Sequence, residues 1–135
     1  MSESISRLNP STLPNSSEMG YSQISIVEPG RMAYISGQVA WQADGAPVPE
    51  DIGEQAKIVV KNARSALKAL GAKAQDIVLA RIYIVDLNDA AMESAFPVLL
   101  ELFEGHQPSI TGIGVAALAG PELKVEVELT VRVPD

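Results

Sequence analysis

The stretch HQPSITGIGV, residues 106–115, gathers several groups that could bind a small molecule where an apolar strand begins. It contains an imidazole, two hydroxyls and two glycines, but no lysine, arginine or carboxylate. His106 is the only histidine of the chain, and no second ligand stands at a spacing typical of metal sites, so we predict no metal. A serine nucleophile is also not supported, because a Gly-x-Ser-x-Gly motif is absent from the sequence.

A second set of chemically capable side chains lies in the last segment, LKVEVELTVRV, residues 123–133. Apolar and polar residues alternate through it, which is the pattern of a strand with one buried face. Glu126 and Glu128 therefore leave this strand on the same face, one pleat apart. Judged from the residues alone, solvated carboxylates on a polar face are the more frequent interpretation of such a pair.

Composition excludes several classes of function. The chain has 17 acidic and 10 basic residues, and its net charge of −7 repels phosphate backbones and anionic lipid. Only 4% of the residues are aromatic, so stacking platforms for bases are scarce. We therefore expect no nucleic-acid partner and no membrane partner. The absence of cysteine excludes disulfides, thiolate nucleophiles and thiolate metal ligands.

The length of 135 residues fits one compact domain. Residues 1–20 are rich in Ser, Asn and Pro and lack the apolar core of a secretory signal. We interpret them as a mobile arm, which a partner subunit could order, ahead of a domain over residues 21–135. Since no run approaches the roughly 20 apolar residues that span a bilayer, we expect a cytoplasmic protein.

Hydrophobic periodicity predicts the elements of this domain. Alternation through residues 21–30 and 32–41 around a Glu-Pro-Gly turn predicts a β-hairpin. Apolar residues at helical spacing predict a helix over residues 52–70, with Asp51 as its cap and Gly71 as its stop.

The second half of the chain continues the alternation of strand and helix. A strand is predicted over residues 76–87, and its two apolar faces indicate a central position. A helix over residues 88–105 should be capped by Asn88 or Asp89 and bent or divided at Pro97. Two further strands follow. Two helices would cover one face of a mixed sheet, so the other face needs a cover, for which a second subunit is the natural candidate.

Separated pieces of this sequence together resemble one known family. They are GYSQIS, AYISGQVAW, EQAKIVVKNARSALKALGA, DIVLARIYIVDLND, the Pro-Ser entry at 108–109 and GPELKVEVELTVRV. In order and spacing they resemble the reactive intermediate deaminases (RidA, YjgF or L-PSP) over about residues 21–133. The resemblance implies a chorismate-mutase-like α+β domain, assembled as a homotrimer with small-molecule clefts between adjacent subunits. It also implies hydrolysis of reactive enamines and imines to ketones and ammonia without a cofactor.

The resemblance assigns candidate roles to particular residues. Glu126 matches the family glutamate that handles the hydrolytic water, and it is the candidate catalytic residue. Tyr21 matches a tyrosine that lines the cleft, with a half-buried strand aromatic as the alternative. Ser36 and Gly37 match a place where the backbone approaches the ligand closely, while the alternative is a strand bulge that requires glycine.

At one position of the predicted site, this sequence departs from the pattern of the family that it resembles. In the deaminating members the stretch that corresponds to PSIT carries an arginine that binds the substrate carboxylate, and here that position is Ile110. An alkyl chain cannot form this two-pronged ion pair. Thr111, beside it, could donate a hydrogen bond to a neutral ligand, although an ordinary hydroxyl at a strand entry is the commoner case.

Two functions remain open at this point. One is a Rid-like hydrolase for an imine, enamine or related small carbonyl compound, acting at an intersubunit cleft on substrates other than ordinary amino-acid imines. The other is a trimer that binds a small metabolite or another protein without turnover. An endoribonuclease role, attached to some relatives, is disfavoured by the acidic charge and the absence of basic clusters in the sequence.

Overall fold

The protein was analysed as a computed structural model, which describes residues 4–135. The elements of this part of the chain are six strands and two α-helices, with short 3₁₀ turns between some of them. In chain order they are β1 (Ile5–Leu8), β2 (Ile24–Val27), β3 (Met32–Gln38), α1 (Ile52–Ala69), β4 (Ile77–Val85), α2 (Asp89–Leu100), β5 (Ser109–Val115) and β6 (Val125–Arg132).

Four of the strands form one mixed sheet in the order β3-β6-β4-β5. β4 and β5 run parallel, whereas β6 is antiparallel to both β3 and β4. Both helices pack on the same face of this sheet, so the predicted α+β architecture is confirmed. β4 is an interior strand, as its two apolar faces predicted. Neither helix within residues 4–135 is long and apolar enough to cross a bilayer.

Side-chain alternation divides the sheet into a buried face and an open face. On β6 the residues that face the helices are fully buried and belong to the hydrophobic core; they are Val125, Val127, Leu129 and Val131. Burial of each such side chain stabilises the fold by about 1.5 to 3 kcal/mol. The opposite face carries Tyr34, Arg81, Tyr83, Glu126 and Glu128, and we call it the open face.

The helix ends follow the signals seen in the sequence. The Asp51 carboxylate accepts a hydrogen bond from the Glu54 N–H (3.0 Å), and Gly71 adopts a left-handed φ of 66° just after α1. Asn88, rather than Asp89, caps α2 by accepting from the Ala91 N–H at 2.8 Å. α2 runs through Pro97 as one helix, ends at Leu100 and continues only as a 3₁₀ turn over Glu101–Phe103.

The N-terminal region differs from the expectation. β2 pairs with β1 rather than with β3, so the predicted hairpin of residues 21–41 is wrong. Residues 5–8 are a paired strand and not a mobile arm. The reason is tertiary, because Arg7 of β1 donates hydrogen bonds to the backbone carbonyls of Ile77 (2.7 Å) and Val78 (3.3 Å). Residues 1–3 of the predicted arm lie outside the described residues.

Candidate functional site

A β-bulge between β3 and β6 shapes one edge of the open face. Ile35 pairs with Leu129 and Gln38 pairs with Val127, so two residues of β3, Ser36 and Gly37, stand opposite a single residue of β6. The bulge interpretation of this segment therefore holds. It also turns the chain at Gly37 toward the side chain of Glu126.

Gly37 is packed so closely against Glu126 that no side chain fits between them. A Cβ atom placed on Gly37 would lie 2.8 Å from Cγ of Glu126 and closer still to the carboxyl group. Real Cβ atoms essentially never approach another heavy atom this closely. Glycine is thus required here for close approach rather than for a positive φ.

The two glutamates of β6 have different surroundings. Glu128 accepts a hydrogen bond from the Tyr83 hydroxyl (2.8 Å) and pairs with the Arg81 guanidinium at 3.5 Å. Within residues 4–135 the Glu126 carboxylate accepts no hydrogen bond from another residue, although its side chain is half-buried. The Glu128 carboxylate is already bound by Tyr83 and Arg81, whereas the Glu126 carboxylate can bind water or a ligand.

Electrostatics favour proton exchange at Glu126. Burial raises the pKa of the Glu126 carboxyl above its ordinary value, and the nearby negative charge of Glu128 raises it further. The hydrogen bond to Glu128 likewise raises the pKa of the Tyr83 phenol. A carboxylate whose pKa is shifted toward neutrality accepts and returns a proton more readily, which is what a general base requires.

A shallow groove of about 290 Å³ lies on the open face beside these residues. Its polar lining is contributed mainly by Tyr34, Ser36, Arg81, Glu128 and Thr130. Glu126 stands one pleat away from this groove. The groove is of a size that admits a small metabolite fragment.

The remaining predicted site residues gather at the opposite edge of the sheet. The Ser22 N–H donates to the Pro108 carbonyl (3.0 Å), which holds the segment of Tyr21 beside the start of β5. Thr111 is exposed on the open face, where it pairs with Arg81 of β4. These residues therefore form a second group, distinct from that of Ser36, Gly37 and Glu126.

Ile110 has a different orientation from its neighbour Thr111. It pairs with Ala80, which is fully buried, and its side chain packs against the hydrophobic core on the helix-covered side. Two strands, β6 and β4, separate β3 from β5. At about 4.8 Å per strand, β5 lies roughly 14 Å from Ser36 and Gly37 on β3 and roughly 10 Å from Glu126 on β6.

The structure adds two residues that the sequence analysis did not single out. Arg81 and Tyr83 surround Glu128 on the open face. Their alternation along β4 indicated a shared face. The register sets Arg81 opposite Glu128 and Tyr83 opposite Glu126, and the Tyr83 hydroxyl reaches diagonally to Glu128. Among the residues described here, no cluster of histidine, aspartate and glutamate is arranged to hold a metal ion.

Two helices packed on one face of a mixed four-stranded sheet define a class of small α+β protein that is also found among solved structures. A family model described as Endoribonuclease L-PSP matches residues 13–133. The chain belongs to this family, which is also called RidA or YjgF. This agrees with the resemblance drawn from the sequence.

Individual relatives agree with the assignment. The chain is 32% identical over 108 residues to 2-iminobutanoate/2-iminopropanoate deaminase of Rattus norvegicus, covering 78% of this chain and 76% of the relative. It is 29% identical over 103 residues to the enzyme of the same name from Escherichia coli K12, covering 76% and 80%. The chain thus covers most of the length of both relatives.

Solved structures support the same fold. The crystal structure of the Rid-family protein YyfB from Yersinia pestis superposes with a TM-score of 0.90 at 34% identity, covering 96% of this chain and 99% of that one. Escherichia coli TdcF with bound serine superposes with a TM-score of 0.67 at 28% identity, covering 78% and 84%.

Proposed function

We propose that this protein is a cofactor-independent hydrolase that releases ammonia from a reactive imine, enamine or related small carbonyl compound. The observation that carries the proposal is the Glu126 carboxylate, half-buried against Gly37 and free of hydrogen bonds from the described residues. The names of the rat and Escherichia coli relatives support this reaction class.

The chemistry requires one group that moves protons. Water adds through its oxygen to the carbon of the C=N bond, and the nitrogen must gain protons before the C–N bond breaks to leave a ketone and ammonia. Glu126 accepts one proton from the attacking water and passes it to the nitrogen, which leaves a carbon that carries both a hydroxyl and an amino group. It then transfers the hydroxyl proton to the nitrogen as the C–N bond breaks and the C=O bond forms, so an imine and water give a ketone and ammonia. The raised pKa of its carboxyl group suits both steps.

The site is proposed to lie between subunits of a homotrimer. In one chain, Gly37 on β3 lies roughly 14 Å, and Glu126 on β6 roughly 10 Å, from the edge of the sheet formed by β5 with Thr111. Two copies whose open faces meet, with these two edges side by side, would bring the two groups together in one cleft. The open face, where Tyr34 is 78% exposed, supplies a surface for such an assembly.

Ile110 limits the proposed substrates. It occupies the place where the resemblance implies a carboxylate-binding arginine, and it packs into the core. Loss of a charge-assisted contact costs about 1.5 to 3 kcal/mol, which corresponds to about a ten- to hundredfold lower rate. We therefore propose substrates without an obligatory carboxylate, and weak turnover of imines derived from ordinary amino acids.

Ile110 also favours a second candidate, a trimer that binds a small metabolite or another protein without turnover. The TdcF structure was solved with bound serine, so a relative of this fold holds an amino acid. A chain without the arginine could retain such a cleft while its ligand has changed.

Paired substitutions separate the two candidates. Glu126→Gln keeps the shape of the side chain but removes its ability to accept a proton, so ammonia release should fall by about a hundred- to ten-thousandfold. Glu128→Gln is the matched control on the same face and should change the rate little. Ammonia release is measured on carboxylated and uncarboxylated imines. Absence of turnover by the parent on every imine tested would favour the binding role, whereas full activity of the Glu126 variant on a substrate that the parent hydrolyses would exclude Glu126 as the general base.

A further inference from the structure

A second concave surface lies away from Glu126, at the C-terminal end of α1. It is a hollow of about 490 Å³ between the end of α1, the turn that leads into β4 and the turn that leads into β5. Its floor is formed by buried Leu67 and Ala74. Its rim carries Arg64, Lys68, Lys73 and His106. We call this whole concave surface the basic hollow.

The charge of the basic hollow is opposite to that of the whole protein. Three of the ten lysine and arginine residues of a chain with net charge −7 line it, together with the only histidine. None of Arg64, Lys68 and Lys73 forms a salt bridge with a carboxylate of residues 4–135. Glu104 is the one acidic residue of the lining. A local positive field of this kind attracts and retains anions.

The walls of the basic hollow are held by backbone structure. The Arg64 guanidinium donates a hydrogen bond to the Glu101 carbonyl (3.1 Å), which ties α1 to the turn after α2. That turn closes through a left-handed Glu104 (φ 49°) and a bond from the His106 N–H to the Phe103 carbonyl at 2.8 Å. The position of the Arg64 guanidinium is therefore partly set before any ligand arrives, which lowers the entropic cost of binding.

We propose that the basic hollow is a binding site for a small polyanion, such as an organic phosphate or a polycarboxylate. Three cations around one concavity match a ligand with several anionic oxygens, and the apolar floor accommodates its carbon skeleton. A nucleic acid is a poorer match, because three cations on a strongly acidic protein neutralise few phosphates.

The basic hollow is independent of the proposed catalytic site. It borders the turn that precedes β4, whereas Glu126 pairs with Tyr83 near the other end of β4 and on the open face. The polyanion site therefore does not rest on the proposed hydrolase. Variants of the hollow leave the residues around Glu126 untouched.

The test is a titration of ¹⁵N-labelled protein with inorganic pyrophosphate at low salt, followed by amide shifts and by the single His106 ring signal. We expect saturable shifts confined to residues 64–75 and 104–106. Lys68→Gln combined with Lys73→Gln should weaken binding about tenfold, because it removes two of the three lysine and arginine side chains that line the hollow. The melting temperature of each variant confirms that it is folded.

The control is Lys57→Gln combined with Lys61→Gln, which removes the same total charge from α1 outside the hollow, whereas Lys68 lies in the last turn of α1 and Lys73 in the turn that follows. It should change the affinity by less than about twofold. An equal loss in both double variants, or shifts that do not saturate at millimolar pyrophosphate, would overturn the proposal. Much tighter binding of a short single-stranded RNA to the same residues would also overturn it, in favour of a nucleic-acid site.

Discussion

Gly37 of β3 lies directly against the Glu126 carboxyl group of β6, in space that no side chain could share. The β-bulge over Ser36 and Gly37 brings the two strands into this relationship. The position of the proposed general base is thus set by the backbone of the neighbouring strand. Access of water to Glu126 depends on the same glycine.

The first prediction concerns Gly37→Ala. The new methyl group would displace the end of a flexible side chain rather than backbone, so the free energy of unfolding should fall by only about 1 kcal/mol. Activity should fall at least about tenfold, because a misplaced catalytic group loses its alignment with the substrate. Urea unfolding and ammonia release measure the two effects.

The control for this substitution is Gly112→Ala on β5. A Cβ atom there meets nothing within 4 Å, so stability should stay the same or rise slightly. If Gly37→Ala and Gly112→Ala changed activity equally, the contact between Gly37 and Glu126 would have no special role in catalysis.

The second prediction follows from the raised pKa of the Glu126 carboxyl. When the pH rises through the ordinary carboxyl range, this group ionises first in the unfolded chain, so the folded state loses relative stability until the raised pKa is passed. Below that range both states are protonated and the difference disappears. Glu126→Gln should therefore stabilise the protein at pH 7 but not at pH 4. Thermal melts at the two pH values test the sign, and a variant that is less stable than the parent at pH 7 would contradict it.

The third prediction concerns assembly. Light scattering should give a mass of about three times 14.3 kDa at micromolar concentration. Tyr34→Asp places a charge on the open face, on the edge strand β3, and should dissociate the trimer without unfolding the chain. Ser94→Asp adds the same charge on α2, on the other side of the molecule, and should leave the mass unchanged. A mass near 14.3 kDa for the parent protein would rule out both the trimer and the proposed site between subunits.

The fourth prediction tests the orientation of Ile110. Since its side chain packs against the core, Ile110→Arg forces a charge toward apolar neighbours and should cost about 2 kcal/mol or more of unfolding free energy. Thr111→Arg, on the exposed side of the same strand, should cost less than about 0.5 kcal/mol. Similar stability of the two variants in urea would show that Ile110 does not face the core. The cost at Ile110 also opposes any gain in carboxylate binding from an introduced arginine.

Local sequence patterns determined the helices and the main strands because their signals act over short distances. The Asp51 cap, the left-handed Gly71 and the alternation of β6 each depend on neighbours within a few residues. The resemblance carried by dispersed motifs placed the chain in its family, and the solved structures agree with the fold. The two glutamates on one face of β6 also followed directly from the period of a strand.

Only the tertiary structure decided which strands pair and which groups meet. The sequence between β2 and β3 resembled a hairpin, but Arg7 joins β1 to the start of β4 and so gives β2 a different partner. Alternation placed Glu126 and Glu128 together, whereas the register of β6 against β4 set Arg81 opposite Glu128, and the diagonal reach of the Tyr83 hydroxyl to Glu128 left Glu126 without a hydrogen bond from residues 4–135. Strand register is set by long-range packing, which no local pattern of residues encodes.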